Sequence, residues 1–492
     1  MNRALMWFRA DLRIRDNTAL SAAAEWADDG LVGVFVICPG QWKQHDWAAV
    51  KVDFILRTLR ELSTSLAKVG VPLVIVEAEK FRDVPRALAG VAKEWGCSGL
   101  FFNREYEVNE ARRDELVVED LTASGVDCFA FDDQCVLAPG TVRTGEGRAF
   151  TVFTPFRNAW SKKVEESGGI KVGRTLRTQT THPKPAAARG DAGPALGTSR
   201  FTTKVPERVA GFEASVDPGL WPAGERAAEK RLETFVDQRI GRYKTDREFP
   251  GVDGTSTLSP YLAVGAISPR QCLKAAVEWN KGKLSGGNPG ADQWIAELIW
   301  REFYRHVLVA FPRVCTGRAF KSETDRIQWR YDEREFAAWC EGRTGYPIVD
   351  AAMRCLNATG WMHNRLRMVA ARFLTKDLLI DWRWGEKYFM QRLVDGDFAS
   401  NNGGWQWSAS TGTDAAPYFR IFNPLSQSRK CDPEGFFIRK WVPELAGVSG
   451  DEVHDPSELP PLVRAGVRYP EKMVDHGEAR ERVMSAFAAI RG

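Results

Sequence analysis

Short hydrophobic runs separated by longer amphipathic segments characterise the first 135 residues. Five runs rich in Val, Ile, Phe or Trp are predicted to be strands, at residues 4–9, 31–37, 72–78, 99–104 and 128–132. The longer segments between them have the apolar spacing of helices, as at 47–69, 83–95 and 107–124. This alternation predicts an α/β fold in which a doubly wound parallel sheet is covered by helices on both faces.

The pattern changes twice further along the chain. From about 165 to 220 the sequence is rich in Gly, Pro, Thr and Ala, which is typical of a connecting segment. From 221 onward apolar residues recur every three and four positions, as in helices, and no strand pattern interrupts them. We therefore predict an amino-terminal α/β domain over 1–135, an interdomain linker over 136–220 and an all-helical domain over 221–492.

The cysteines and the apolar runs of the sequence predict the cellular compartment of the protein. The nine cysteines are scattered without a C-x-x-C pair, which argues against a disulfide framework or a zinc site and for a reducing compartment. No apolar secretory segment opens the chain and no apolar run is long enough to span a membrane, so we expect a cytoplasmic protein. The usual hydrolytic and nucleotide motifs, such as G-x-S-x-G, H-E-x-x-H and the Walker loop, are absent from the sequence.

Tryptophan is unusually abundant, with 18 residues. Two interpretations are open: a large aromatic core, or a protein that binds flat ligands or moves electrons between indoles. Composition alone does not choose between them.

One predicted helix, near 294–308, carries charge among apolar neighbours. Glu297, Trp300, Arg301 and Tyr304 are spaced to share one face, while apolar residues occupy the other sides. Charges inside a domain are costly unless they are paired or face a ligand. The alternative is an exposed Glu297–Arg301 pair at i, i+4, and this segment taken alone favours that pair.

A second helix, near 361–374, places Asn364, Met368 and Arg372 on one face beside Arg365 and Arg367. Such side chains suit bases and phosphates, although a solvated basic face is the alternative. Between 301 and 383, 15 Lys and Arg stand against 10 Asp and Glu, a local excess larger than the net charge of +4 for the whole chain. This concentration is typical of phosphate-backbone binding.

Two further segments carry polar groups in unusual density. Residues 394–419 combine Asp395, Asp397 and Asn401 with a Gly-Gly pair and two indoles, which suits a heterocyclic ligand; the alternative is a polar loop that caps a helix. Residues 254–262 gather four hydroxyl side chains before an apolar run. They suit a phosphate, but a plain helix N-cap is favoured when the segment is taken alone.

These segments together resemble the photolyase/cryptochrome family, and most closely its class I bacterial cyclobutane pyrimidine dimer photolyases. The resemblance covers nearly the whole chain and is carried by WFRADLRIRDNTAL near the start, FNREYEVNEARRD at 102–114, FTPFRNAW at 153–160, TGWMHNRLRM, and DGDFASNNGGWQWSASTGTDAAPYFRIFNP. It implies a helical domain that holds a folded FAD, and repair of UV-damaged DNA in blue light. The reduced, excited FAD would pass an electron to a dimer flipped out of the duplex. A monomer is expected.

The resemblance also implies roles for individual residues. The cofactor would be held by Tyr243, Thr255, Ser256, Thr257, Leu258, Ser259, Glu297, Arg301, Asn364, Arg367, Asp395, Asp397 and Asn401. The lesion would meet Arg247, Trp300, Arg365, Met368 and Trp407, with Glu297 and Asn364 close to the reaction. Trp405, Trp382 and Trp329 match a chain of indoles that re-reduces the flavin in light; packing in the core is the alternative for each.

An antenna chromophore is implied as well. His45, Asn109 and Glu110 match positions that bind 5,10-methenyltetrahydrofolate in folate-type members, which favours that antenna. A Lys of folate-type members is replaced at about Thr316, which leaves a deazaflavin, FMN or an empty site as alternatives.

Two other functions compete with dimer repair. The first is a cryptochrome, a blue-light photoreceptor without repair activity; such members often carry a long carboxyl-terminal extension, whereas this sequence ends at Gly492. The second, repair of (6-4) photoproducts, would require a His pair in the lesion pocket, but Trp361 and Met362 precede His363.

Overall fold

A parallel sheet forms the amino-terminal half of the protein, in a computed structural model that describes residues 2–181, 183–185 and 201–490. Its strands are β1 (Ala4–Phe8), β2 (Leu31–Ile37), β3 (Leu73–Glu77), β4 (Gly99–Asn103), β5 (Asp127–Phe131) and β6 (Phe201–Thr202). Their order across the sheet is β5-β4-β1-β2-β3-β6, and all pairs are parallel except β3 with β6. The predicted fold class is confirmed.

Helices make up the rest of the regular structure. They are α1 (Thr18–Trp26), α2 (Pro39–Gln44), α3 (Ala49–Lys68), α4 (Val84–Trp95), α5 (Val108–Ala123), α6 (Phe153–Glu166), α7 (Glu225–Gln238), α8 (Tyr243–Asp246), α9 (Ser259–Val264), α10 (Pro269–Trp279), α11 (Pro289–Ala310), α12 (Glu333–Glu341), α13 (Pro347–Thr359), α14 (Asn364–Arg372), α15 (Trp382–Met390), α16 (Phe398–Ala409), α17 (Pro424–Cys431), α18 (Phe436–Trp441), α19 (Pro461–Gly466) and α20 (His476–Ala488). A π-helical turn, Phe373–Asp377, continues α14.

Burial accounts for the continuous hydrophobic runs of the strands. Every residue of β1, β2 and β4 is buried, as expected for parallel strands covered by helices on both faces. The chain order of the strands reverses between β1 and β4. A sheet of this kind binds its ligands outside the carboxyl ends of the strands, near that reversal.

The segment predicted as a linker contains regular structure. Helix α6 and strand β6 both lie within 136–220, while residues 182 and 186–200 of it lie outside the described part of the chain. Helix α6 packs on α11, where the indole N–H of Trp160 donates to Glu302 at 2.6 Å. The same carboxylate accepts the backbone N–H groups of Val136 and Leu137 at 2.8 and 2.9 Å. The proposed domain boundaries remain a prediction.

A buried ionic cluster joins the sheet to the helical half. Arg270 on α10 donates to Asp16 at 2.9 Å and to Asp133 at 2.7 Å, and Arg13 also pairs with Asp133. Burial raises the pKa of Asp133, but the two guanidinium groups outweigh burial and hold the pKa well below its usual range. The sheet and the helical half are therefore joined by two buried ion pairs of Arg270.

The state of the cysteines and the character of the helices can be compared with the expectations from the sequence. All nine cysteines are free thiols, and seven of them are buried. None of the helices formed by the described residues combines the length and the apolar character that crossing a bilayer requires.

Candidate functional site

Helices α11 and α16 approach each other closely and build a site between them. A Cβ atom on Gly403 would lie 2.3 Å from ring carbons of Tyr304, so this approach requires glycine. Arg305, the next residue of α11, forms an ion pair with Asp397, the N-cap of α16. The start of α16 is therefore fixed against the middle of α11.

The two predicted aspartates are held by different helices. Asp395 accepts two hydrogen bonds from Nη2 of Arg367, at 3.0 Å through Oδ1 and 2.7 Å through Oδ2. Asp397 accepts the backbone N–H of Ser400 at 2.9 Å. The loop between α15 and α16 is thus tied to α14 through one carboxylate and to α11 through the other.

Two arginines lie where α11 meets α16, and only one of them forms an ion pair with a carboxylate of the described residues. Arg305 pairs with Asp397, whereas Arg301, one turn earlier, donates to the backbone carbonyls of Gln134 at 2.9 Å and Leu262 at 3.1 Å. Burial raises the pKa of Asp397, but Arg305 and Arg301 outweigh it and hold the pKa well below its usual range. Burial and the neighbouring Arg305 lower the pKa of Arg301 to about 10. A half-buried guanidinium without such an ion pair suits an anionic ligand.

Glu297 does not pair with Arg301, so the interpretation favoured by that segment alone is wrong. Its Oε1 accepts from Arg247 and from Nε2 of Gln293, the latter at 2.8 Å. Arg247 directly follows α8, and the ion pair fastens α8 to α11. The i, i+4 pair is lost because each charge finds a closer partner in the tertiary structure.

The hydroxyl-rich segment before α9 is strained and does not cap the helix. Thr257 has a φ of 47°, which is rare for a β-branched residue, and its Oγ1 accepts from Arg231. The N-cap of α9 is Leu258, which makes no side-chain capping bond, so the plain N-cap interpretation is wrong. Ser256 instead turns its Oγ toward the N–H of Leu258, at 3.4 Å.

The other predicted cofactor residues of this region lie near the same strained loop. Tyr243 begins α8 and is buried edge-on against Phe235, with ring centroids 5.7 Å apart. Thr255 is half-buried, and Ser259 is exposed. The Oγ of Ser259 accepts from the indole N–H of Trp361 at 3.3 Å.

The two predicted asparagines present their amides differently. Asn364 is the first residue of α14 and is exposed. The amide nitrogen of Asn401 donates to the backbone carbonyl of Glu386 at 3.0 Å, which leaves the amide oxygen available as an acceptor.

Trp300 already carries an aromatic ring on one face. Phe153 of α6 stacks on it with ring centroids 3.8 Å apart and planes inclined by 11°. The backbone N–H of Phe153 donates to Asp414 at 3.1 Å, so the loop after α16 anchors the start of α6. Phe303 and Tyr304 also contact the indole, each with ring centroids 5.5 Å away, and the indole remains half-buried.

The remaining predicted lesion residues lie on α14 and α16. Trp407 is half-buried, with the guanidinium of Arg372 4.8 Å from its ring centroid. Met368 is half-buried on α14, and Arg365 pairs with Glu248, a neighbour of Arg247 in the chain. Basic and aromatic side chains from three helices therefore converge.

The three predicted relay tryptophans are buried in series. The Trp405 indole packs on Gly385, where a Cβ atom would lie 2.1 Å from its ring, and Gly385 shares a face of α15 with Trp382. The residue after Trp329 donates its backbone N–H to the carbonyl of Leu379 at 2.8 Å, close to the start of α15. Among the described residues, the indole nitrogens of Trp382 and Trp329 have no hydrogen-bond partner.

The three predicted antenna residues form one hydrogen-bonded cluster. His45 Nδ1 lies 3.2 Å from a carboxylate oxygen of Glu110, and His45 Nε2 lies 3.0 Å from the amide nitrogen of Asn109. The cluster lines a cavity of about 370 Å³ outside the carboxyl ends of β1 and β2, to which Thr316 also contributes. Aromatic rings line the same cavity, namely Trp7, Phe35, Trp42, Trp47 and Phe81.

Charged groups extend this cavity toward α16. Burial and the nearby Glu110 raise the pKa of Glu107 to about 8, and burial raises that of Glu386 to about 7. Lys51 is buried and donates from Nζ to the carbonyl of Gly396 at 2.7 Å. The cavity wall is therefore continuous with the loop that carries Asp395 and Asp397.

Several residues of the site were not predicted. Arg305 lies one turn after Arg301 on the same helix, and that spacing could have indicated it. Phe153, Arg231 and Trp361 approach the site from distant parts of the chain, and no local pattern indicates their contacts.

Comparison with known proteins places these residues in context. A protein-family model described as DNA photolyase matches residues 4–183, and one described as the FAD binding domain of DNA photolyase matches residues 294–489. The chain is 44% identical to the deoxyribodipyrimidine photo-lyase of Vibrio cholerae, over 99% of this chain and 100% of that protein.

Solved structures agree with the sequence comparison. A bacterial class III photolyase from Agrobacterium tumefaciens matches with a TM-score of 0.85 and 35% identity, over 100% of this chain and 98% of that one. A cryptochrome from Synechocystis matches with a TM-score of 0.85 and 28% identity, over 99% of each chain.

Proposed function

We propose that this chain, which belongs to the DNA photolyase family, is a light-dependent carbon–carbon lyase that repairs cyclobutane pyrimidine dimers in DNA. The observation that carries the proposal is the facing arrangement of α11 and α16. It brings Trp300, Trp407 and the guanidinium of Arg301 to one site. An aromatic wall suits a flat, flipped-out lesion, and the positive charge suits an anionic cofactor.

FAD fits the residues present. The half-buried guanidinium of Arg301, which finds no carboxylate partner among the described residues, suits the negative charge of a diphosphate or of a reduced flavin. When bound, FAD supplies the light absorption and the one-electron transfer that open the cyclobutane ring. The residues that would hold FAD are Tyr243, Thr255, Ser256, Thr257, Leu258, Ser259, Glu297, Arg301, Asn364, Arg367, Asp395, Asp397 and Asn401.

The chain's own residues orient and protect this chemistry. The Arg367–Asp395 and Arg305–Asp397 pairs fix the position of both carboxylates, which can accept further hydrogen bonds from the ligand. The amide nitrogen of Asn401 is already used, so its oxygen is the group presented to the cofactor.

The lesion would stack on the exposed part of the Trp300 ring and against Trp407, with Met368 filling the gap between them. Arg247 and Arg365 each hold a glutamate at the edge of this site, and these partly exposed ion pairs can exchange a carboxylate for a DNA phosphate. Glu297 and Asn364 complete the polar edge of the pocket. UV-damaged DNA is the partner that this arrangement fits.

Trp405, Trp382 and Trp329 would re-reduce an oxidised flavin by passing electrons inward. Their burial in series on α16, on α15 and beside the start of α15 supports this role. The indole nitrogens of Trp382 and Trp329 form no hydrogen bond with the described residues, which leaves these two rings without that perturbation.

The cavity beside His45, Asn109 and Glu110 would hold an antenna chromophore. Its aromatic and charged lining suits methenyltetrahydrofolate, and a deazaflavin or FMN is the alternative. The chromophore released by denaturation can be identified by its absorption and mass. His45→Ala should lower the amount bound, whereas Gln44→Ala, which lines the same cavity outside the cluster, should not.

One assay tests the proposed function directly. Purified protein should show flavin absorption, and dimers in irradiated DNA should disappear under blue light but not in the dark. Colourless protein that binds no FAD would contradict the proposal. Flavin that responds to light while dimers persist would instead favour a cryptochrome.

A further inference from the structure

Arg372 is a buried cation without a carboxylate partner. It is 2% exposed, and its Nη1 donates to the backbone carbonyl of Arg420 at 2.8 Å. Its Nε and Nη2 have no hydrogen-bond partner, and no carboxylate forms an ion pair with it in the part of the chain that the structure describes. Burying an unpaired charge is costly, so a purely structural role would be better served by an apolar side chain.

The guanidinium lies against two aromatic rings at the proposed lesion pocket. Its carbon is 3.8 Å from the ring centroid of Phe422 and 4.8 Å from that of Trp407. A cation is attracted to the face of a neutral indole, but it repels the radical cation that remains when the indole loses an electron. Arg372 therefore makes Trp407 harder to oxidise.

The predicted relay is built differently. Arg383 lies 4.7 Å from the ring centroid of Trp382, but it is compensated by Asp325 at 2.8 Å and Asp381 at 3.1 Å. The charge of Arg383, beside the relay indole Trp382, is therefore neutralised by carboxylates. The charge of Arg372, beside Trp407, is not neutralised by a carboxylate of the described residues. Trp405 and Trp407 are two positions apart on α16, so their rings leave the helix on different sides. The proposed function places the cofactor beside both rings, Trp405 at the head of the relay and Trp407 in the lesion pocket, so that either indole could be the first electron donor.

We propose that the buried guanidinium of Arg372 prevents the Trp407 indole from giving an electron to the photoexcited cofactor and so reserves that step for Trp405. This inference rests on the proposed function. The oxidant is photoexcited oxidised flavin, which gains one electron. The indole that donates becomes a radical cation, and an added thiol reductant returns an electron to it. Trp407 stays intact as a stacking surface for the lesion.

The first test uses flavin-loaded protein with a thiol in anaerobic blue light. Trp405→Phe should slow bleaching of the oxidised flavin. Adding Arg372→Met should restore bleaching about tenfold or more, since repulsion between two charges within ~5 Å exceeds the ~1.4 kcal/mol of a tenfold change. Adding Trp407→Phe to that double variant should abolish the gain.

One matched variant serves as the control for this test. Lys376→Met removes another buried basic side chain, one turn further along and over Phe487 rather than Trp407, and should restore nothing in the Trp405→Phe background. The proposal is overturned if Arg372→Met restores no bleaching, or if the restored bleaching survives Trp407→Phe. Transient absorption should also detect an indole radical in the Trp405→Phe, Arg372→Met protein.

The second test needs no flavin. Flavin-free protein is exposed briefly to a diffusing one-electron oxidant, and oxidised tryptophans are located by peptide mass spectrometry. Oxidation of Trp407 should rise several-fold in Arg372→Met but not in Lys376→Met, while oxidation of the half-buried Trp300 stays constant. Equal oxidation of Trp407 in all three proteins overturns the proposal. A protein that binds no flavin would refute the proposed function, and this measurement would still decide the role of Arg372.

Discussion

Two neighbouring glycines of α16 should respond in opposite directions to the same substitution. In Gly403→Ala, the new Cβ atom would lie 2.3 Å from ring carbons of Tyr304, so the ring or the helix must move by about 1 Å to reach ordinary contact. Tyr304 cannot swing away freely, because it packs on Trp300 with ring centroids 5.5 Å apart. In Gly404→Ala, no atom of the residues that the structure describes lies within 4 Å of the new atom.

The magnitudes follow from this difference. Alanine in a helix interior is about 1 kcal/mol more favourable than glycine, so Gly404→Ala should stabilise the fold by about 0.5–1 kcal/mol. Overpacking costs about 1–3 kcal/mol, so Gly403→Ala should be destabilising by up to about 2 kcal/mol after the same gain is subtracted. Gly403→Ala should also lose flavin, because the start of α16 is displaced from α11.

Denaturant midpoints followed by far-UV circular dichroism, with flavin content measured on the same samples, check this prediction. The two variants differ by one position on one helix, so each is the control of the other. If Gly403→Ala proves as stable as Gly404→Ala and retains its flavin, the close contact of α11 with α16 is wrong.

Three other substitutions test the site. Trp300→Ala should weaken binding of dimer-containing duplex in the dark by about 5- to 150-fold, because base–aromatic stacking is worth about 1–3 kcal/mol. The control is Trp279→Ala, which removes an exposed indole, and unchanged affinity of Trp300→Ala would exclude Trp300 from the pocket. Trp329→Phe should block photoreduction but spare repair by chemically reduced enzyme, and normal photoreduction would exclude Trp329 from the relay. Asp397→Asn should lower the unfolding midpoint at pH 7, because a carboxylate whose pKa is depressed in the fold stabilises it above the unfolded pKa of about 4. That difference should shrink as the pH falls below about 4, and a constant difference would contradict the ionic role of Asp397.

The sheet was predictable because its strands are buried on both faces. A continuous apolar run between helical segments, such as 31–37, is typical of a buried parallel strand, and the observed β2 has the same bounds. Strand β6 was not predicted, because two residues pairing antiparallel at an edge leave no periodic signal. Helix α6 was predicted only as part of a connecting segment.

The site was predictable as a set of segments but not as a set of contacts. The family resemblance indicated the residues, whose roles remain predictions, and helical spacing indicated which of them share a face. Local spacing failed for Glu297, whose partner Arg247 lies 50 positions away. Local spacing also did not indicate the stack of Phe153 on Trp300 or the contact of Arg372 with Trp407. Both contacts depend on which distant ring the fold brings alongside.

The stack of Phe153 on Trp300 has a consequence for synthesis of the chain. Trp300 on α11 follows Phe153 by roughly 150 residues. Because translation proceeds at about 5–20 residues per second, α11 leaves the ribosome many seconds after α6. Strands β1 to β5 precede α6 in the chain, and they can pair while α6 waits with an unsatisfied apolar face. A nascent chain that stalls before residue 300 therefore exposes the Phe153, Phe156 and Trp160 stripe to chaperones and proteases.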